Sequence, residues 1–375
     1  MKKLEYTVRF VTPAFLGNAE QKGQWRTPPF KALLRQWWRV VKAKDFGYDY
    51  EKLREEEGKL FGAAHDEGGS SQRSRLLLRI SEWNDGALKQ WPKDPKVKHC
   101  EVDMGGGNVG AHLYLGYGPL TYEKGTGTVL KEKHPAIDVN ESASLSVRCP
   151  DFMMKEIENA IKLINWFGAI GGRSRNGWGS LVLTGENAPN VIDSKIVKEF
   201  CQPLSDCLRL DWPHAIGKDE KGFLVWKTKA SFSAWSEAMK ALAGIKIDFR
   251  TEVSISENKD ATDSKLDRRH ILAYPVTNHG LGGWCEKDKH GNLRTDKRGK
   301  LIQGERLSSQ LRFKVTQING KYHCIAYHLP CSVPRELLGK LDQAEIAFIA
   351  KNQEEIWKVV HAKLDAQDSQ MERIK

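Results

Sequence analysis

Residues 151–184, DFMMKEIENAIKLINWFGAIGGRSRNGWGSLVLT, carry the pattern that decides the fold. Met153, Ile157, Ile161 and Ile164 recur at helical spacing, with Ala160 on the same face, and Asp151 stands where a capping carboxylate belongs. A helix to about Phe167 is predicted. Gly171–Gly179 then breaks it with four glycines around two arginines, a serine and Trp178. Ser180–Thr184 (SLVLT) reads as a strand. Glycines let a main chain approach a phosphate closely and turn N–H groups toward it. Arginine forks match phosphate oxygens two at a time. The loop has no GK[ST] and follows a helix, so it is neither a Walker loop nor a dinucleotide fingerprint.

Upstream, Leu4–Val11 alternates apolar and polar, a half-buried strand. Thr27-Pro28-Pro29 opens a helix in which Phe30, Leu33, Leu34, Trp37, Trp38 and Val41 form one apolar stripe. Lys31, Arg35, Arg39 and Lys42 form a second, cationic stripe. Tyr50–Phe61 reads as an acidic helix, Arg75–Trp83 as a strand and Ser142–Cys149 as another. Residues 84–138 are rich in Gly, Pro and Lys and read as an insertion, part hairpin and part mobile. The order is therefore βαββαβ, a ferredoxin-like unit with the topology of an RNA-recognition module.

Gly185–Asp219 reads as the connection to a second unit. That unit should hold a strand at Phe223–Lys229, a helix at Trp235–Leu242, and strands near Phe249–Ile255 and His270–Pro275. Arg306–Thr316 and Tyr322–His328 should pair across Asn319-Gly320. A helix from about Ala344 to Asp365 follows, and Ala366–Lys375 reads as a frayed tail. The fold class expected is α+β: two ferredoxin-like, RRM-like domains in tandem with insertions, residues 1–190 and 191–375.

The 375 residues carry 59 Lys+Arg against 48 Asp+Glu, a net charge of +11, with 40% hydrophobic residues. Disorder of the whole chain is excluded, and no run approaches the ~18 apolar residues of a spanning helix. MKKLEYTVRF lacks the apolar core of a secretory signal. Seven cysteines without a CxxC pair read as free thiols in a reducing cytoplasm. Gln21–Lys44 holds seven basic residues and no acid. That segregation, with twelve tryptophans, points to a nucleic-acid surface, although most of the tryptophans are expected in the core.

The glycine-rich loop resembles that of the RAMP superfamily of CRISPR-associated RNA-binding proteins. Thr12-Pro13-Ala14-Phe15-Leu16-Gly17, Arg26-Thr27-Pro28-Pro29-Phe30-Lys31 and Leu34-Arg35-Gln36-Trp37-Trp38-Arg39 look like the subunit-one family of the type III-B Cmr effector complex. Phe61-Gly62 and Arg306–Leu311 fit the same style. The resemblance implies two ferredoxin-like domains, no catalysis by this subunit, and a role holding the 3′ part of a guide RNA and the target RNA among other Cmr/RAMP subunits. The segments 84–138 and 284–304 match no family pattern.

The RNA-binding residues expected are Arg26, Lys31, Arg35 and Arg39 on the basic track, and Gly172, Arg173, Ser174, Arg175, Asn176 and Trp178 in the loop. Arg173, Arg175 and the loop backbone should grip phosphates; Trp178 should stack on a base or pack the loop. No metal and no cofactor is expected, because His279, Cys285 and His290 fit no common zinc spacing. The alternatives are a metal-independent RAMP endoribonuclease acting through His65, His134, His270 or His279, and a structural subunit whose basic face docks a protein. Asp103 and Asp138 could serve an RNA-cutting loop, but nothing in their context selects either.

Overall fold

The computed structural model describes residues 2–63, 71–102, 106–139, 141–253, 265–276, 279–297 and 299–375. We label the strands of its two four-stranded sheets and its principal helices in chain order. The first sheet holds β1 (Lys2–Phe10), β2 (Leu77–Ile80), β3 (Ser142–Cys149) and β4 (Leu181–Gly185). Its spatial order is β2-β3-β1-β4, antiparallel throughout. The alternation in β1 does what it predicts: Leu4, Tyr6, Val8 and Phe10 are buried and the residues between them are not. On that face lie α1 (Thr27–Lys42) and α4 (Met154–Phe167), packed against each other. The apolar stripe of α1 buries Phe30, Leu33, Leu34, Trp37 and Trp38, with Val40 rather than Val41 fully covered. The acidic helix α2 (Tyr50–Phe61) has the bounds its pattern predicts and is capped by Asp49.

The second sheet holds β5 (Val225–Thr228), β6 (Leu311–Ile318), β7 (Lys321–His328) and β8 (Met371–Arg373), in the order β6-β7-β5-β8. Numbered within its own unit, this is again second, third, first, fourth. Helix α5 (Trp235–Glu252) follows β5, and α6 (Gln343–Asp365) precedes β8. The β6–β7 hairpin turns at Asn319 (φ 49°) and Gly320 (φ 76°), both left-handed as a two-residue turn with this twist requires.

Three expectations are corrected. Residues 249–252 are not a strand: α5 runs on to Glu252 because Ile245, Ile247 and Phe249 all find burial, and 254 and 255 lie outside the described residues. His270 lies in a short helix, Arg268–Leu272. The tail is not frayed. Trp226 pairs with Arg373, whose guanidinium bridges Asp219 and Asp365 and lies 5.1 Å over the Trp226 ring. A short tail carrying that many partners is held.

Residues 84–138 are ordered where described. The segment forms a hairpin (Leu120–Glu123 with Gly127–Leu130) and a short helix, α3 (Ala111–Gly116), which packs on α5 of the second unit. The two cores interleave. Phe15, Ala111, Leu115 and Trp178 bury with the second sheet, while Ile216, Phe223, Val225 and Tyr327 bury with the first. Lys314 of β6 donates to the Ile164 and Asn165 carbonyls at the end of α4 (3.1 and 2.5 Å), and Tyr327 donates to Phe167 O (2.8 Å). Burial lowers the Lys314 pKa well below its ordinary value, and the two carbonyls satisfy its N–H donors. No helix among the described residues is long and apolar enough to cross a membrane.

Candidate nucleic-acid interface

The glycine-rich loop joins α4 to β4 and is wedged between Pro13–Leu16 and the second sheet. Gly172 N–H donates to Phe15 O (2.8 Å) and Gly179 N–H to Pro13 O (2.9 Å). Ser174, Asn176 and Gly177 donate within the loop. Five N–H groups are thus occupied internally, which corrects the expectation of a backbone cradle for phosphate. The glycines serve close packing instead. A Cβ at Gly179 (φ 64°) would stand 1.9 Å from Ile170 O, and one at Gly171 (φ 93°) 2.6 Å from Phe15 O.

Side chains of the loop divide sharply. Trp178 is fully buried, edge-on to Phe15, Trp91, His112 and Trp235. Base stacking on Trp178 is excluded; it packs the loop. Asn176 donates to Leu115 O and accepts from Lys246 Nζ, both at 2.8 Å. Arg175 is half-buried and donates to Ser309 O (3.0 Å), while its own carbonyl accepts from Phe313 N–H (2.9 Å). Burial, then the charge of Arg312, brings its pKa down to about 10. Arg175 and Asn176 are therefore engaged with the second unit rather than aimed at solvent. Gly172 is covered by Phe15 and Pro119, and Ser174 is half-buried. Arg173 alone among them is exposed, held at φ 58°, a left-handed conformation that costs a non-glycine residue energy.

The basic track is also changed by the tertiary structure. Glu57 of α2 is 1% exposed and accepts from Arg35 Nε (2.5 Å), Arg39 Nε (2.5 Å) and Arg39 Nη2 (2.8 Å). Lys42 pairs with Asp45 (2.6 Å) and Glu156 (3.2 Å). Arg26 donates to Gly17 O. The stripe has acidic partners after all, brought from other elements. Lys31 has no ion pair among the described residues; burial and then Arg35 lower its pKa.

The structure gathers cations that the sequence reading missed. Lys246 and Arg250 lie one turn apart on α5, and Arg306 precedes β6. Burial, then Arg250 and Arg173, push the Lys246 ammonium down to about 7. Its Nζ also lies 5.6 Å over the ring of Tyr114 from α3. Burial and then Arg306 lower Arg173, with Tyr117 opposing. Arg173, Lys246 and Arg306 have no carboxylate partner among the described residues, while Arg250 feels the charge of Glu101. A helix ended at Leu242 hid the i, i+4 spacing of Lys246 and Arg250, the one local signal available.

A model of the RAMP superfamily matches residues 7–182, from β1 through the glycine-rich loop into β4. Among solved structures, the chain is similar to Cmr1 from Pyrococcus furiosus in its apo form (14% identity, TM-score 0.47, covering 97% of this chain and 98% of that one). It is also similar to a chain in the cryo-EM structure of the type III-B Cmr-β complex bound to cognate target RNA (15% identity, TM-score 0.45, covering 96% and 99%). No curated protein matches. The cationic cluster therefore combines the glycine-rich loop of the matched span with residues beyond it.

Of the acid–base candidates, His65 and Asp103 lie outside the described residues. His270 is buried, its Nδ1 accepting from Asp267 N–H (2.9 Å), and burial lowers its pKa. His134 lies 3.7 Å from Glu132. Asp138 accepts from Val139 N–H (2.7 Å). Among the described residues no three His, Cys, Asp or Glu are grouped to hold a metal.

Proposed function

We propose that this chain is the RNA-holding RAMP subunit of a type III-B CRISPR effector complex, binding guide or target RNA beside other Cmr subunits without cutting it. It is built from two tandem ferredoxin-like units divided near residue 190; the repeated strand order in the two sheets supports this. The observation that carries the functional reading is the convergence of Arg173, Lys246 and Arg306 without carboxylate partners, at the glycine-rich loop of the RAMP-matched span. Burial and then neighbouring cations lower the pKa of Arg173 and Lys246, an unmet electrostatic demand that a polyanion satisfies. Arg173 and Arg306 contact phosphates, with Lys31 and the single net charge of the Arg35–Arg39–Glu57 trio as outlying contributions. Phosphate contacts of this kind position an RNA, while guide–target pairing supplies the sequence.

The test is binding of a labelled ~40-nucleotide RNA across a salt series, wild type against Arg173→Ala/Arg306→Ala. Wild type should bind and leave the RNA intact. The variant should bind more weakly, with a log–log salt slope shallower by about 1.4, two phosphates at about 0.7 each. No binding by wild type, or an unchanged slope in the variant, overturns the reading. Cleavage at a defined position makes the chain a nuclease instead.

A further inference from the structure

The insertion 84–138 has no role in the reading above, yet its hairpin stands against the glycine-rich loop. A Cβ at Gly172 would lie 3.2 Å from Pro119, and one at Gly118 would lie 3.4 Å from Arg173 Nη2. Tyr117, next to Gly118, is 67% exposed, although its neighbours Leu115, Gly116 and Leu120 are buried. Tyr50, Trp83, Tyr122 and Phe152 are also exposed; Tyr117 is distinguished by its place beside Arg173, whose charge also feels Arg306. The backbone supports the placement. Tyr117 bridges to Leu120, and Gly118 N–H donates to Leu120 O (3.1 Å), so the ring is mounted on a closed turn. That turn is anchored through α3 to α5 of the second unit.

We propose that Tyr117 is a stacking platform for one unpaired base of single-stranded RNA, with Arg173 and Arg306 holding the phosphates flanking that nucleotide. The inserted hairpin is then part of the RNA-binding surface rather than a contact for a neighbouring protein. Flat aromatic faces next to cations are the common recipe for binding single strands without reading sequence, because every base offers a π-face. The inference rests on the RNA-holding reading and goes further, since it assigns a base contact and gives it to a residue of the inserted hairpin.

The experiment measures affinity of Tyr117→Ala, Tyr117→Phe and Arg173→Ala for two probes: a single-stranded RNA and inorganic polyphosphate, which has the charge but no bases. Melting temperatures accompany each variant as a folding control. Tyr117→Ala should weaken RNA binding by about 5- to 150-fold, the value of one stacked base, with the salt slope unchanged. It should bind polyphosphate like wild type, and Tyr117→Phe should stay within about twofold on both probes. Arg173→Ala should weaken both probes and flatten the slope. RNA affinity retained in Tyr117→Ala while Arg173→Ala loses it overturns the stacking proposal and leaves the RNA-holding reading intact. Equal losses on RNA and polyphosphate in Tyr117→Ala also overturn it. Wild type failing to bind RNA overturns both.

Discussion

Replacing Glu57 by glutamine tests whether the basic stripe of α1 is chiefly structural. The buried carboxylate accepts three guanidinium hydrogen bonds, from Arg35 and twice from Arg39. Breaking a buried ion pair by removing one partner costs about 3–5 kcal/mol. The two arginine side chains are 38% and 34% exposed, so each recovers part of its hydration by turning to water. That discounts the expected loss to about 2–3 kcal/mol, or about 4–12 °C in Tm for a unit of this size. Arg35→Gln and Arg39→Gln alone should cost less, because the other arginine still neutralises Glu57. The double variant should cost more than the sum of the singles, because it leaves Glu57 buried with no cation. Urea and thermal melts of the four proteins measure this. Additive single losses, or a Glu57→Gln protein within about 0.5 kcal/mol of wild type, would refute the shared-carboxylate argument. The RNA readout adds a second check: the trio carries one net charge, so the double arginine variant should lower the salt slope by no more than about 0.7.

The charge state of Lys246 makes RNA affinity depend on pH. Its pKa is held at about 7, below the ordinary lysine value, and an arriving phosphate favours the charged form. Binding therefore takes up a proton, and affinity should rise as pH falls from 8.5 to 6, by up to about tenfold per unit on the alkaline side. Lys246→Met should flatten the profile; an unchanged slope in that variant would sink the assignment. Acid should also weaken the fold. Burial lowers His361 to about 3 and His112 to about 4, and lowers His328 as well. The unfolded chain binds these protons first, so stability is complete above about pH 6.5 and falls as the pH drops below it. A melting temperature as high at pH 4.5 as at 7.5 would contradict this.

Much of the architecture was legible because its signals are local. The alternation in β1 and β3, the apolar stripe of α1 and the Asn319-Gly320 turn each depend on residues within a few positions of one another. Where local signals were mixed, the reading failed. Residues 249–252 carry β-formers but continue α5, because the core lies along that helix face. The tail has no periodicity, yet it becomes β8 because the edge of β5 is open to pair with it.

The site shows the same division. By itself the sequence determined that a glycine-rich, arginine-bearing loop follows α4, that a cationic stripe lies on α1, and that both resemble RAMP motifs. It could not determine which of those charges remain available. Glu57 is 22 residues from Arg35 and 18 from Arg39, and only the packing of α2 on α1 brings them together. Trp178 was taken from solvent by a cluster drawn from four other stretches of chain. Arg173 gained Lys246 and Arg306 as neighbours only because α5 and the approach to β6 close over the loop. Periodicity is set by neighbours along the backbone, whereas charge pairing and exposure are set by neighbours in space.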